Sequence, residues 1–586
     1  MIFSIPMPRI HSRFLFLALA LSRFAAAQPS QPPLPADQRT AWWQDAKFGM
    51  FIHWGAYAVI GRDEWARNIF HIPEPAYEEY ARQLNPVNFD PFAWVDLAQS
   101  AGVRYMVITS KHHEGFSMFR SDVSDYGIKM TPYAGDPLKM LSEAARARRM
   151  PLGFYYSIMD WHNPDYRPKR DWESDHPKEG GDMPRYLNFM RSQLRELLSR
   201  YGDVAVLWFD GEWEHTPEEI DADGVYSMIR EMQPNTLIND RLFNRKTGSR
   251  GDFGTPEQFV PATGVTDANG KPALWESCVT INTSSWGYNR YETQFKTSRD
   301  LIRMLIDVVS KGGNLLLNIG PRPDGTIQPE FVSRLQAMGA WMKINSDSIY
   351  ATQASPFSTL PFFGRATQKG DALYLHVFQW PRDGKLRVPA LQNKVLSAHL
   401  LAVPGAPLGI ARDKGDVVLT LPQTAPDEAA SVIALELDGP PRAGEFRFHP
   451  DAGGMLTLGA ESAKIETQFE QRAKLENALG HVFLTQWSKP QDVPYWDIEL
   501  PRGGKYQVAI SYAATKPAIG SAYSVLDGAA NLSAAVKNAG GDWVFSEDKI
   551  GELELPAGRS QVKVKIAGKD GQNVMQLERM TFKPIR

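Results

Sequence analysis

LNFMRSQLRELLSRYGDVAVLWFDGEW, residues 187–213, changes period halfway along. Its first part carries the amphipathic pattern of a helix. Its second part is a short continuous apolar run that stops at Asp210-Gly211, as in a strand buried on both faces of a parallel sheet. The same unit recurs on either side. KFGMFIHW comes first, RYMVITS follows FAWVDLAQSAG, and LGFYYSI follows KMLSEAARARR. TLIND (236–240), ALWES (273–277) and GNLLLNI (313–319, after SRDLIRMLIDVVSK) complete at least seven candidate strands. That number predicts an α/β fold of the (β/α)8, TIM-barrel type over residues 38–349 rather than a doubly wound sheet. No glycine-rich fingerprint follows the first strand, so a dinucleotide fold has no support.

Beyond Tyr350 the texture changes to short strands with Gly, Pro and Asp turns, such as DALYLHVFQW, DVVLTLP and SVIALELDG. This predicts a β-sandwich at 355–440. A second all-β unit at 455–586, with YWDIELP, KYQVAISYAA and SQVKVKIAG, reads as a further sandwich or jelly roll of the carbohydrate-binding type. At the other end, Arg9, His11 and Arg13 precede the apolar run Phe14–Leu21 and then Ala25-Ala26-Ala27. Residues 1–27 therefore read as a cleaved signal peptide, followed by a Pro-rich linker at 28–37, and predict a periplasmic or secreted protein. The apolar run is far shorter than the roughly 20 residues of a membrane helix, so no membrane insertion is expected.

Composition narrows the partners. Sixty-four Lys and Arg against 67 Asp and Glu leave a net charge of −3, which supplies no field for nucleic acid. One cysteine, Cys278, excludes an intrachain disulfide, so large cores must carry the fold. The 16 Trp, 20 Tyr and 29 Phe residues hint at a ligand with one apolar and one hydroxylated face, such as a sugar.

Chemistry-bearing residues gather at the ends of the proposed strands: His53, then Glu64-Trp65, His112-His113, Tyr155-Tyr156, Trp208 with Asp210, Arg241, and Glu276. TIM barrels place active sites at that rim. Asp210 is the foremost candidate, because Thr216 is expected to cap the following helix and leaves this carboxylate free for chemistry. A second carboxylate for acid and base work is either Glu257, in GDFGTPEQFVP, or Glu276, in LWESC. Strand ends favour Glu276 and loops favour Glu257. The three histidines with Asp210 also suggest a metal, but no HxH, HExxH or CxxC pattern supports one, and neutral imidazoles donating to sugar hydroxyls account for them equally well.

WWQDAKFGMFIHWGAYAV, DEWARN, GVRYMVITSKHHEGF, GFYYSIMDWHNPDY, VAVLWFDGEW, NDR, TPEQ, WESCVTINTSSWGY and GGNLLLNIGPRPDG resemble, in order across 40–330, the α-L-fucosidases of glycoside hydrolase family 29. The resemblance implies a retaining exo-hydrolase of terminal α-L-fucose on fucosylated oligosaccharides or glycoconjugates, working without metal or other cofactor, on a barrel followed by a β-sandwich. It makes Asp210 the nucleophile and selects Glu257 as acid/base, with Glu276 the alternative. It also lines the fucose pocket with His53, Glu64, Trp65, His112, His113, Tyr156, Trp208, Arg241, Glu276 and Trp286. A fucose- or glycan-binding protein of weak turnover on the same fold is the other reading.

Overall fold

The computed structural model describes residues 34–585 except 174–179, 247–248, 268, 414, 468–472, 479, 538–539 and 568–572. The expected signal peptide and most of the linker lie outside these. Seven parallel strands form the first sheet: β1 (Phe48–Ile52), β2 (Tyr105–Lys111), β3 (Leu152–Ser157), β4 (Val206–Asp210), β5 (Leu237–Ile238), β6 (Glu276–Thr280) and β7 (Asn314–Ile319). Their order is β5-β4-β3-β2-β1-β7-β6, and every residue in them is buried.

The gap between β5 and β6 is closed by an irregular stave. Parallel bridges join Asn239 to Phe253, Gly254 to Trp275 and Glu257 to Cys278. Segment 253–257 thus occupies the sixth position of an eight-position ring, in sequence order, without making a regular ladder. Glu257 ends this stave at the same rim as Asp210.

β6 is displaced from the expected strand at 273–277. It begins at Glu276, so Glu276 stands at the opposite end of the barrel from the rim, and its reading as a strand-end rim residue is corrected. A strand flanked by apolar residues on both sides, ALWESCVTI, gives no sequence mark of where pairing starts.

Helices cover the outside, and three begin alike. Asp90, Asp136 and Asp182 accept amide hydrogens of the first turn, with proline at its first or second position, in helices Pro91–Ser100, Pro137–Ala147 and Met183–Arg200. The carboxylate satisfies an orphan N–H and proline lacks the one it would leave bare. The helix after β4 starts later than expected, at Ala222, and its cap is Asp221, which accepts from the Gly224 amide at 3.2 Å. Thr216 instead closes a local turn with Glu219. No helix among the described residues is long and apolar enough to cross a membrane.

Two antiparallel sandwiches follow. Sheets of five and three strands between Gly364 and Leu437 enclose Leu373, Leu375, Val388, Leu419 and Ile433. Sheets of six and five strands between Leu456 and Pro584 enclose Trp487, Trp496, Val508, Val564 and Phe582. The first is fixed to the barrel by Arg303, which donates to the carbonyls of Ala429 (2.7 Å) and Phe378 (2.6 Å), and by the Trp341 indole on the Ala430 carbonyl (2.9 Å). The last contributes Val482 to the apolar cluster that runs from the barrel into the first sandwich.

Candidate active site

At the C-terminal mouth of the barrel a cavity of about 90 Å³ is lined by His53, His112, His113, Asp210, Arg241 and Glu257 among aromatic walls from Trp65, Tyr155, Trp208, Trp213 and Trp286. A larger cavity, about 450 Å³, lies between segment 259–264 and the last sandwich; its charges, Glu466 and Lys563, pair with each other at 2.9 Å. Acid, base and histidines converge only in the smaller one of these two.

Arg241 organises the carboxylates. Its Nη1 donates to Asp210 Oδ1 at 2.5 Å and its Nη2 to Glu257 Oε2 at 2.8 Å, while Nε donates to Thr255 Oγ1 at 3.0 Å. The guanidinium lies over the Trp208 ring, 4.3 Å from its centre. Asp210 Oδ2 also accepts from the Tyr155 hydroxyl at 2.7 Å and faces His113 Nε2 at 3.7 Å. Burial pushes the Asp210 carboxyl up, but Arg241, His113 and the Tyr155 hydroxyl outweigh it and hold the group well below the usual carboxylate range. The two side chains differ in access: Asp210 is 12% exposed and Glu257 34%. Gly211 makes the turn after the nucleophile candidate at φ +74°, where a Cβ would come within 2.8 Å of Met159 Cβ.

Two histidines have their tautomers set from behind. Asn318 donates its Nδ2 to the Trp286 carbonyl at 2.7 Å, so its Oδ1, 2.7 Å from His53 Nδ1, must accept from that nitrogen. Ser157 donates to the Met159 carbonyl at 2.7 Å and therefore accepts from His113 Nδ1, also at 2.7 Å. Burial first, and neighbouring His112 second, push both imidazoles down, His53 to about 3. Both are neutral with a bare Nε2, which leaves each with a hydrogen-bond acceptor facing the cavity. The expectation of imidazoles that donate is corrected for these two. His112 Nδ1 lies 3.4 Å from Glu114 Oε2.

Three other expected pocket residues sit elsewhere. Tyr156 points to the opposite face of β3, where its hydroxyl donates to Gln193 Oε1 at 2.8 Å; Tyr155 is the tyrosine in the cavity. Glu64 lies behind the wall, its Oε2 accepting the amides of Trp286 (2.9 Å) and Gly287 (3.0 Å), and burial, followed by nearby Asp63, pushes it up to about 7. Glu276 lies beneath the floor. It accepts from the Trp208 indole at 3.1 Å, the Trp43 indole at 3.3 Å and the Tyr105 hydroxyl, and burial pushes it up to about 7. It thereby fixes the ring on which Arg241 rests. Trp213, which the sequence reading passed over, is 49% exposed and runs parallel to Trp65, ring centres 6.2 Å apart. Its signal was its place three residues after Asp210 in DGEW.

Among the described residues, the side chains that converge closely enough to hold an ion are Glu74, Glu78 and His162 rather than the pocket histidines. There Arg67 and Arg82 already pair with the two glutamates, at 3.4 and 2.9 Å.

Comparisons with known proteins address the family and the fold. Residues 19–347 match the model of the α-L-fucosidase family. Isoenzyme 1 of α-L-fucosidase from Paenibacillus thiaminolyticus is 40% identical over 69% of this chain and 99% of its own, with a TM-score of 0.65. The α-L-fucosidase of Vibrio sp. strain EJY3 is 26% identical but covers 93% of this chain and 98% of its own, with a TM-score of 0.73. A family 29 α-L-fucosidase from Bacteroides thetaiotaomicron, solved as a trapped covalent intermediate with 2-fluoro-fucosyl fluoride, is 30% identical over 70% of this chain and 98% of its own, with a TM-score of 0.62. With a family match that spans more than half of its length and contains every barrel strand, the chain belongs to the α-L-fucosidases, family 29 of the glycoside hydrolases.

Proposed function

We propose that the enzyme removes terminal α-linked L-fucose from glycans with retention of configuration, using Asp210 as nucleophile and Glu257 as acid/base. The observation that carries this reading is the single guanidinium shared by a buried carboxylate and a more exposed one. Attachment to one Arg241 suits the close carboxyl spacing, about 5–5.5 Å, of retaining glycosidases better than the wider spacing that must admit a water. Asp210, dry and held ionised, suits attack; Glu257, open to solvent, can load and unload a proton.

In the first step an Asp210 oxygen bonds to the anomeric carbon from the face opposite the leaving oxygen. The glycosidic C–O bond breaks, and the Glu257 proton passes to the departing alkoxide. Asp210 is then a neutral ester and Glu257 an anion. In the second step Glu257 takes a proton from water, the hydroxide displaces the ester, and Asp210 leaves as carboxylate. Arg241 faces one unit of carboxylate charge before and after each step, so no stage leaves it with an unbalanced pair. His53 and His113 accept hydrogen bonds from hydroxyls of the sugar. A pocket of buried, directed acceptors rejects sugars whose hydroxyls are misplaced.

Hydrolysis of an aryl α-L-fucoside followed by NMR tests this. The α-anomer of fucose should appear first. With azide present, Glu257→Ala should yield α-fucosyl azide, since azide opens the ester, and Asp210→Gly should yield the β-azide by direct displacement. Without azide, Glu257→Ala should lower kcat/KM on glycans by about 10²–10⁴-fold. Release of the β-anomer overturns retention, and azide rescue of Glu276→Ala alone overturns the assignment of Glu257. Export rests on residues 1–27; a mature N-terminus other than Gln28 would contradict cleavage there.

A further inference from the structure

Two loops beside the pocket are stitched together and carry more than its walls. The loop after β1 holds Trp65, the one-turn helix Ala66–Ile69 and then Phe70; the loop after β6 holds Trp286 and, five residues on, Tyr291. β1 and β6 flank β7, so both loops leave the same side of the barrel mouth. Besides the Glu64 bonds to Trp286 and Gly287, the Arg290 amide donates to the Gly61 carbonyl at 2.9 Å and its guanidinium to the Val59 carbonyl at 2.8 Å.

Five residues beyond the cavity's Trp65 and Trp286 in sequence, Phe70 and Tyr291 are 50% and 60% exposed. The Arg62 guanidinium lies between them, 5.6 Å from the Phe70 ring centre and 4.3 Å from that of Tyr291. Among the described residues Arg62 makes no ion pair with a carboxylate. One bare ring needs no explanation. Two rings with a planar donor held between them, on the two joined loops that also supply the pocket's Trp65 and Trp286, form an exposed patch on the same wall of the barrel mouth.

We propose that Arg62, Phe70 and Tyr291 form a subsite for a neutral sugar of the leaving glycan, beyond the bond that is cut. The rings meet the apolar C–H face of the sugar and the Arg62 N–H groups donate to its hydroxyls. The occupant is neutral carbohydrate because the patch stands on the loops that wall the fucose pocket, on whose assignment this inference rests, and because its donors are already laid flat against rings.

The test compares kcat/KM on an aryl α-L-fucoside with kcat/KM on a neutral fucosylated pentasaccharide, for the wild type, Arg62→Ala and the double variant Phe70→Ala/Tyr291→Ala. The pentasaccharide should lose about tenfold in the double variant, chiefly through KM, as expected when aromatic contacts that the bound sugar would cover are truncated. The aryl fucoside should change by less than about twofold, and Tyr291→Trp should keep pentasaccharide activity. Equal losses on both substrates would make these residues props of the pocket, and no loss on either would make them inert; both results overturn the subsite. A variant that changes oligomeric state in sedimentation would make the patch an interface between copies, which also overturns it. Failure of the wild type to release fucose from either substrate would instead fell the reading of the pocket, and the subsite with it.

Discussion

The hydroxyl of Tyr155 donates to Asp210 at 2.7 Å, while that of Tyr156 donates to Gln193 on the helix side of the sheet at 2.8 Å. Successive side chains of a strand point to opposite faces, so the choice between them is a matter of register. Where both faces are buried, both residues are aromatic and neither position is marked by polarity. Tyr155→Phe should lower kcat/KM by about tenfold, because the Asp210 carboxylate, the proposed nucleophile, loses a donor worth about 1.5–3 kcal/mol. Tyr156→Phe should leave kinetics unchanged and cost about 1 kcal/mol in denaturant unfolding. The reverse pattern would show that the register is wrong. Glu276 allows a similar separation. Glu276→Ala strips three buried donors and should damage both stability and kcat, whereas Glu276→Gln keeps an acceptor oxygen and should recover most of both.

Elements explain why some residues were legible and others were not. His53, His112, His113, Asp210 and Arg241 lie at or a few residues past the ends of apolar runs in sequence, and a barrel places such positions at its mouth, so their convergence could be read without coordinates. Glu276 could not be placed because its strand starts three residues later than the apolar run suggested. Glu257 looked like a loop residue because its stave pairs only through isolated bridges. The helix after β4 makes the same point at its start: PEEIDADGVYSMI offers several caps, and tertiary packing selected Asp221, whose carboxylate also pairs with Arg191. Asp221→Ala should cost about 1–2 kcal/mol by thermal or urea unfolding, since it removes a cap at a left-handed residue, φ +48°. Thr216→Ala should cost a few tenths.

At the scale of the whole molecule, buried titratable groups oppose one another across pH. His53 and His376 are pushed down to about 3 by burial, so the unfolded chain binds more protons than the folded one between there and its ordinary range near 6.5. Their contribution is lost as pH falls. Glu64 and Glu276 are pushed up to about 7, so their contribution is present below about 4.5 and lost as pH rises through 7. Melting temperature should therefore be highest on a plateau between about pH 4.5 and 6.5, and the decline towards pH 8 should shrink in Glu276→Gln. A melting temperature that climbs steadily to pH 8 would contradict these assignments. Arg303→Ala should cost about 1.5–3 kcal/mol by cutting the charged bonds that tie barrel to first sandwich. That docking was not legible, since nothing in a lone arginine on a helix names carbonyls 75 and 126 residues away.

The irregular stave gives the barrel an uneven stiffness. Asp210 rides on a strand laddered to β3 and β5, whereas Glu257 ends a segment pinned by single bridges. Backbone amides at 254–258 should therefore exchange with deuterium faster than those at 206–210. In the mechanism proposed above, the proton donor would then be the more compliant half of the pair, free to follow leaving groups of different bulk while the attacking carboxylate stays where it is.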